Sequence, residues 1–248
     1  MSGHSKWSTI KHQKGAKDVR RGKLFAKLIR AIEVASREGG SSPEGNPILA
    51  DDILKAKDNS VPNDTIDRAV KRGAGELAGQ RLELATYEAY APGGVAMMVE
   101  ALTDNRNRTA ADVRHVVTKG GGSLADAGSV AYLFSRQGQL VVLGDGVDED
   151  RVMEVALEAG AEDVEADEQG ITVTTAPGDL RAVRAAFDAA GIAYDSAEVT
   201  MVPSVSIPLE RDLAVRVLRL LDALEDLDDV QDVYANFDIS DEVMAEVS

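Results

Sequence analysis

The chain has 248 residues, 44% of them apolar and 28% charged, with a net charge of −16. That length gives room for two or three ordinary domains, and aromatics at 4% mean cores built from Ala, Val, Leu and Ile. The absence of cysteine excludes disulfides, thiolate metal sites and cysteine nucleophiles. No apolar run approaches the roughly 18 residues of a spanning helix, the N-terminus carries no apolar signal segment, and Ser2 stands where myristoylation needs glycine.

The charge is unevenly placed. Met1 to Arg37 holds ten Lys or Arg against Asp18 and Glu33, about +8, so the remaining residues carry −24. A basic head on an acidic body points to a polyanionic partner for the head. Residues 1–17 have little periodicity and read as an extended arm with Lys6, Lys11, Lys14 and Lys17 as candidate phosphate contacts. Trp7, the only tryptophan, is either an anchor that buries its ring or a candidate stacking platform for a base.

From Asp18 the pattern turns helical, with Leu24, Phe25, Leu28, Ile29, Ile32 and Ala35 on one arc. Arg20, Arg21, Lys23, Lys27 and Arg30 are the candidate nucleic-acid contacts of this helix. They lack acidic partners four residues on, as a face tuned only for solubility would not. Gly39 to Gly45 ends the helix. Asn46-Pro47 starts a second one as N-cap and first-turn proline, and Pro62-Asn63 opens a third that Gly73 stops. Residues 1–75 are expected to be a basic three-helix domain with an N-terminal arm.

Leu82–Tyr90 and Val95–Leu102 read as a hairpin around Pro92-Gly93-Gly94. A helix capped by Asn107 or Thr109 follows, with Val113, Val116 and Val117 facing inward and Gly120 at its end. Arg106, Arg108 and Arg114 make it the second candidate nucleic-acid cluster, near a helix N-terminus able to receive phosphate. The local alternative pairs Arg106 and Arg108 with Asp104 and Asp112. Val130–Phe134 is then expected to be a strand. Residues 138–203 give the order βαββαβ, the ferredoxin-like plan, here architecture only. Leu209–Leu227 is a long amphipathic helix and Val230–Phe237 a closing strand. The ββαβ before the βαββαβ unit lacks a partner that this last αβ supplies. The expected fold is therefore α+β: a three-helix domain followed by two α+β domains, one (138–203) inserted in the other (80–135 plus 205–240).

No catalytic constellation emerges. His4, His12 and His115 are too scattered for a metal site. Gly120-Gly121-Gly122 lacks the Lys-Ser/Thr of a phosphate loop, and carboxylate pairs such as Asp228-Asp229 are ordinary on an acidic surface. No enzyme activity, cofactor or metal is expected.

The blocks GHSKWSTIKHQK, KLFAKLIRAIEVASREGG and TDNRNRTAADVRHVVTKGGGSLADAGSVAYLF together resemble the YebC/PmpR family, which includes mitochondrial relatives that activate translation. The resemblance spans the chain. It implies a helical N-terminal domain, two α+β domains, no catalysis and a cytoplasmic role in bacteria. The GHSKW block starts at Gly3, which argues against a transit peptide. The family is described both as DNA-binding transcriptional regulators and as translation factors acting on the ribosome. The expected partner is accordingly nucleic acid, either DNA or ribosomal RNA, with the ribosome behind the second and no membrane. The competing reading is an acidic module that docks a basic protein, with the head serving only solubility.

Overall fold

The computed structural model describes residues 18–78, 81–144, 148–167, 170–240 and 243, with side chains from Gly22 onward except that of Asp167. Three helices come first: α1 (Asp18–Gly39), α2 (Pro47–Asp58) and α3 (Asn63–Gly73). Leu28, Ile32 and Ala35 of α1 bury against Leu49 and Ala56 of α2 and Ile66 and Ala69 of α3. Asn46 does two jobs at the α1–α2 corner. Its Oδ1 accepts from Leu49 N at 3.1 Å, capping α2, while its Nδ2 donates to Ala35 O and Gly40 O at 2.8 Å each, closing α1. Gly73 both ends α3 and lets it approach α1. A Cβ there would collide with the Glu33 carbonyl and come within 2.6 Å of Ser36 Cβ. The buried Glu33 carboxylate receives Arg72 from α3.

The hairpin forms as expected. β1 (Glu83–Tyr90) and β2 (Ala96–Thr103) pair antiparallel from Glu83↔Thr103 to Tyr90↔Ala96. They are joined by a 3₁₀ turn over Pro92–Gly94 in which Gly93 takes φ 82°. Helix α4 (Arg106–Lys119) follows, buried through Val113 and Val117. Its N-cap is Asn105, whose side chain accepts from Arg108 N. This corrects the expected cap at Asn107 or Thr109: both of those positions lie inside the helix. The third strand also differs from expectation. It is β3 (Ser123–Leu124), paired to Ala89 and Tyr90, whereas Ala131–Leu133 is a 3₁₀ turn. Phe134 opens β4 (Phe134–Leu143), a strand of a different sheet. Late in the chain, α7 (Arg211–Glu225) and β9 (Val230–Ala235) return to the first sheet, whose strand order is β3-β1-β2-β9. Helix α7 buries Ala214, Val217, Leu218, Leu220, Leu221 and Leu224.

The second four-stranded sheet is antiparallel, in order β5-β6-β4-β7, with β5 (Asp163–Asp167), β6 (Gly170–Thr175) and β7 (Ser196–Pro203). Helices α5 (Glu149–Glu158) and α6 (Leu180–Ala190) supply Val152, Ala156, Val183 and Phe187 to a core with Leu140, Val142, Ile171 and Val173. This is the βαββαβ arrangement expected for the segment. A short parallel pair joins β8 (Ile207–Pro208) to β10 (Phe237–Asp238).

Two compact units result. One contains the described residues up to Ser129 together with Asp212–Val233, so the helical bundle and the first sheet belong to the same unit. Within it, Ala31 and Val34 of α1 pack with Leu82 and Leu102. The other contains Val130–Arg211 and the described residues from Tyr234 on. Among the described residues no helix is long and apolar enough to cross a membrane.

Replacing Asn46 by Ala removes one N-cap bond and leaves two carbonyls of the α1 terminus without their donor. Urea unfolding should show a loss of about 2–3 kcal/mol. A loss below about 0.5 kcal/mol, the scale of an ordinary surface change, would count against this double-capping role.

Candidate nucleic-acid interface

Lys23, Lys27 and Arg30 lie on one stripe of α1, and the structure supplies the partners that their own helix lacks. Lys23 Nζ donates to Asp226 O at 3.0 Å and lies 3.5 Å from Asp226 Oδ1. Lys27 Nζ donates to Glu225 O at 2.8 Å. Arg30 Nη1 donates to Asp228 O and stands 3.9 Å from Asp229 Oδ1. The reason is local to α7. A helix ends in carbonyls with no intrahelical donor and in the negative end of its dipole. The last turn of α7 contains no basic residue, and the chain continues Glu225-Asp226-Leu227-Asp228-Asp229. The cations that would normally sit in that turn come instead from α1.

Asp229 joins this contact to the second cationic cluster. Its Oδ2 accepts from Arg108 Nη2 at 2.6 Å and Thr109 Oγ1 at 2.7 Å, with Thr103 Oγ1 at 3.3 Å, and its carbonyl accepts from Leu102 N at 2.8 Å. Thr103 Oγ1 also accepts from Asn105 N at 2.9 Å. Burial alone would push the Asp229 carboxyl up. The bonds from Arg108 and Thr109 and the charges of Arg108 and Arg30 outweigh it, and the group is held below its ordinary value. Lys23 and Arg30 of α1 and the sequence-distant Arg108 of α4 thus line one open groove of about 550 Å³. The same groove carries Asp104, Asp112, Asp226, Asp228 and Asp229.

The remaining candidates fall in three groups. Lys6, Trp7, Lys11, Lys14 and Lys17 lie outside the described residues, and Arg20 and Arg21 are on the first turn of α1, where side chains are not described. Arg106 and Arg108 are tied locally. Arg106 pairs with Glu83 Oε1 at 3.6 Å and donates to Leu84 O at 3.2 Å, and Arg108 pairs with Asp104 at 3.0 Å besides Asp229. The local alternative therefore holds for Arg108 with Asp104 and fails for Arg106, whose carboxylate belongs to Glu83. Arg114 is exposed and has no hydrogen-bond or ion-pair partner among the described residues. It shares an exposed stripe with Asn107, Ala111 and Thr118 at helical spacing. Sequence reasoning misses Thr103, takes Thr109 only as a candidate cap and takes Asp229 only as half of an ordinary acidic pair. The available signal was an acidic run directly after a long helix, the wrong sign for that terminus.

A family model described as the TACO1/YebC protein N-terminal domain matches residues 5–76, and one described as the TACO1/YebC second and third domain matches residues 82–237. Proteins of Salinispora arenicola and Thermobifida fusca are 58% and 59% identical to the chain, and one of Rubrobacter xylanophilus is 60% identical. Each match covers the whole of both chains, and each protein is named a probable transcriptional regulatory protein. The crystal structure of a conserved hypothetical protein from Aquifex aeolicus superposes with a TM-score of 0.81 at 47% identity, covering 93% of this chain and 97% of that one.

Asp229→Asn should lower the unfolding free energy by about 1–3 kcal/mol, because Arg108 and Arg30 lose the charge they bond. A carboxyl whose folded pKa is depressed contributes stability that is full above its unfolded value and is lost as pH falls through the folded one. The gap between the parent and the variant should therefore hold above about pH 4 and close below it. Urea melts at pH 7 and pH 3 check this, and an equal gap at both would contradict it.

Proposed function

Because the chain belongs to the TACO1/YebC family, we propose that it is a non-enzymatic, nucleic-acid-binding regulator of gene expression in the cytoplasm. The observation that carries this is the charge division: about +8 on residues 1–37 against −24 on the rest. Cations of that density neutralise phosphates, and the negative body limits indiscriminate binding by repelling excess polyanion. In this reading residues 1–75 form the basic binding domain. Residues 80–135 with 205–240 form an α+β body into which 138–203 is inserted. Contacts come from the arm lysines Lys6, Lys11, Lys14 and Lys17, with Arg20 and Arg21 of α1. The exposed Arg114 on α4 adds a further contact. Regulation of transcription is supported by the names of the relatives, which are probable transcriptional regulatory proteins.

A second reading, structured ribosomal RNA bound during translation, is favoured by the residue types. A reader of DNA bases offers several Arg, Asn or Gln side chains to base edges. The basic face of α1 is mostly Lys and Arg, which position a backbone without specifying sequence.

Affinity for a 20-base-pair duplex and for an RNA hairpin, each titrated with salt, tests the reading. Log affinity should fall linearly with log salt. Replacing Lys6, Lys11, Lys14 and Lys17 with Gln should flatten the duplex slope by about 0.9 for each phosphate no longer neutralised. Salt-insensitive binding, unchanged in that variant, would overturn the proposal. Crosslinking in cells with sequencing of the recovered nucleic acid then separates chromosome from ribosome.

A further inference from the structure

The cationic stripe of α1 is occupied in the folded chain, and its occupant has the chemistry of a nucleic-acid backbone. Three cations at positions 23, 27 and 30 span about 10 Å of helix. Facing them are the carbonyls of Glu225, Asp226 and Asp228 and the carboxylates of Asp226 and Asp229. We propose that the acidic turn Glu225–Asp229 is an internal competitor for nucleic acid, holding Lys23 and Lys27 until a phosphate backbone displaces it, with Arg30 on Asp229 as its fixed end. This rests on the nucleic-acid reading above and adds to it the order of events at the site.

The pairing is graded along its length, which tells where displacement begins. At one end the Lys23 and Asp226 side chains are 42% and 71% exposed. At the other, Arg30 and Asp229 are 28% and 16% exposed, and Asp229 is also held by Arg108 and Thr109. Exposed ion pairs are weak and screened by salt, so the Lys23–Asp226 end exchanges readily. The Asp229 end, bonded from three elements, stays in place as the pivot. Only a ligand of high charge density gains enough from Lys23 and Lys27 to offset release of the turn, so the competitor selects against weak polyanions. Displacement also has a counterion signature. The released carboxylates take up cations from solution, which partly cancels the counterions that leave the nucleic acid. The intact protein should therefore show a shallower salt dependence than its cation count implies.

The test uses the full chain with Asp226→Asn and Asp228→Asn, both exposed positions where the amide fits the carboxylate's space. The probes are a 20-base-pair duplex DNA and an RNA hairpin of equal charge. The double variant removes one exposed ion pair, Lys23–Asp226, and the negative charge of Asp228 beside Arg30; it should bind its preferred probe about two- to fivefold more tightly, and its salt slope should be steeper than the parent's. Amide hydrogen exchange supplies the readout independent of affinity: in the parent, exchange across residues 225–229 should rise when the probe is added. If the double variant proves unstable in a thermal melt, Asp226→Asn alone, at a side chain 71% exposed, carries the same expectation at smaller size. Unchanged affinity and slope, with no rise in exchange, would show the turn to be a fixed strut and overturn the inference while leaving nucleic-acid binding intact. Absence of salt-dependent binding by the parent to either probe would overturn both.

Discussion

Helix α7 terminates in carbonyls without donors, a dipole of negative sign and a run of carboxylates, and its own last turn brings no cation to meet them. Left to itself that terminus would fray and repel. Lys23, Lys27 and Arg30 of α1 resolve the problem from near the other end of the chain. The same helix turns Leu28, Ile32 and Ala35 to the bundle and Ala31 and Val34 to Leu82 and Leu102. The first turn of α4 is built against the same place, because the Asp229 carboxylate that meets Arg30 also holds Arg108 and Thr109.

The same arrangement makes the site chemically ambivalent. The groove that gathers Lys23, Arg30 and Arg108 gathers five carboxylates as well. A phosphate entering there must exchange partners; it cannot simply be added. Cations outside that network, such as Arg114 on the exposed stripe of α4, carry no such condition. On the proposed reading, first encounter and final engagement fall to different residues, which suits a protein whose body is strongly anionic.

Most of the fold was legible because its signals are local. Asn46-Pro47, the Pro92-Gly93-Gly94 turn and the βαββαβ alternation each announce themselves within a few residues. The failures share a cause, which is competition from residues distant in sequence or from the neighbouring element. Val130–Phe134 looks like a strand from its residues. Yet the edge position beside β1 is taken by only two residues, Ser123–Leu124, and Phe134 is claimed by β7 of the other sheet. Asn105 caps α4 in preference to Asn107 because its amide is fixed by Thr103 Oγ1, a residue of the preceding strand. Gly73 reads as a helix stop, and its second role, the close approach to Glu33 and Ser36, depends on a helix much earlier in the chain. At the candidate site the cations were visible and their partners were not. Asp228-Asp229 is an ordinary acidic pair until α7 brings it to α1.

The antiparallel register of the second sheet sets Phe134, where β4 begins, opposite Pro203, where β7 ends. Strands so paired bring their ends to within about 5 Å, so the polypeptide returns to almost the point it left. Residues 134–203 contain 15 acidic and 4 basic residues, so this returning segment carries −11 of the chain's −16. A segment whose two ends lie side by side can be lengthened or recharged over evolutionary time without stretching the backbone on either side. The strength of the molecule's anionic field is thereby free to drift while the geometry that holds α1 against α7 stays unaltered.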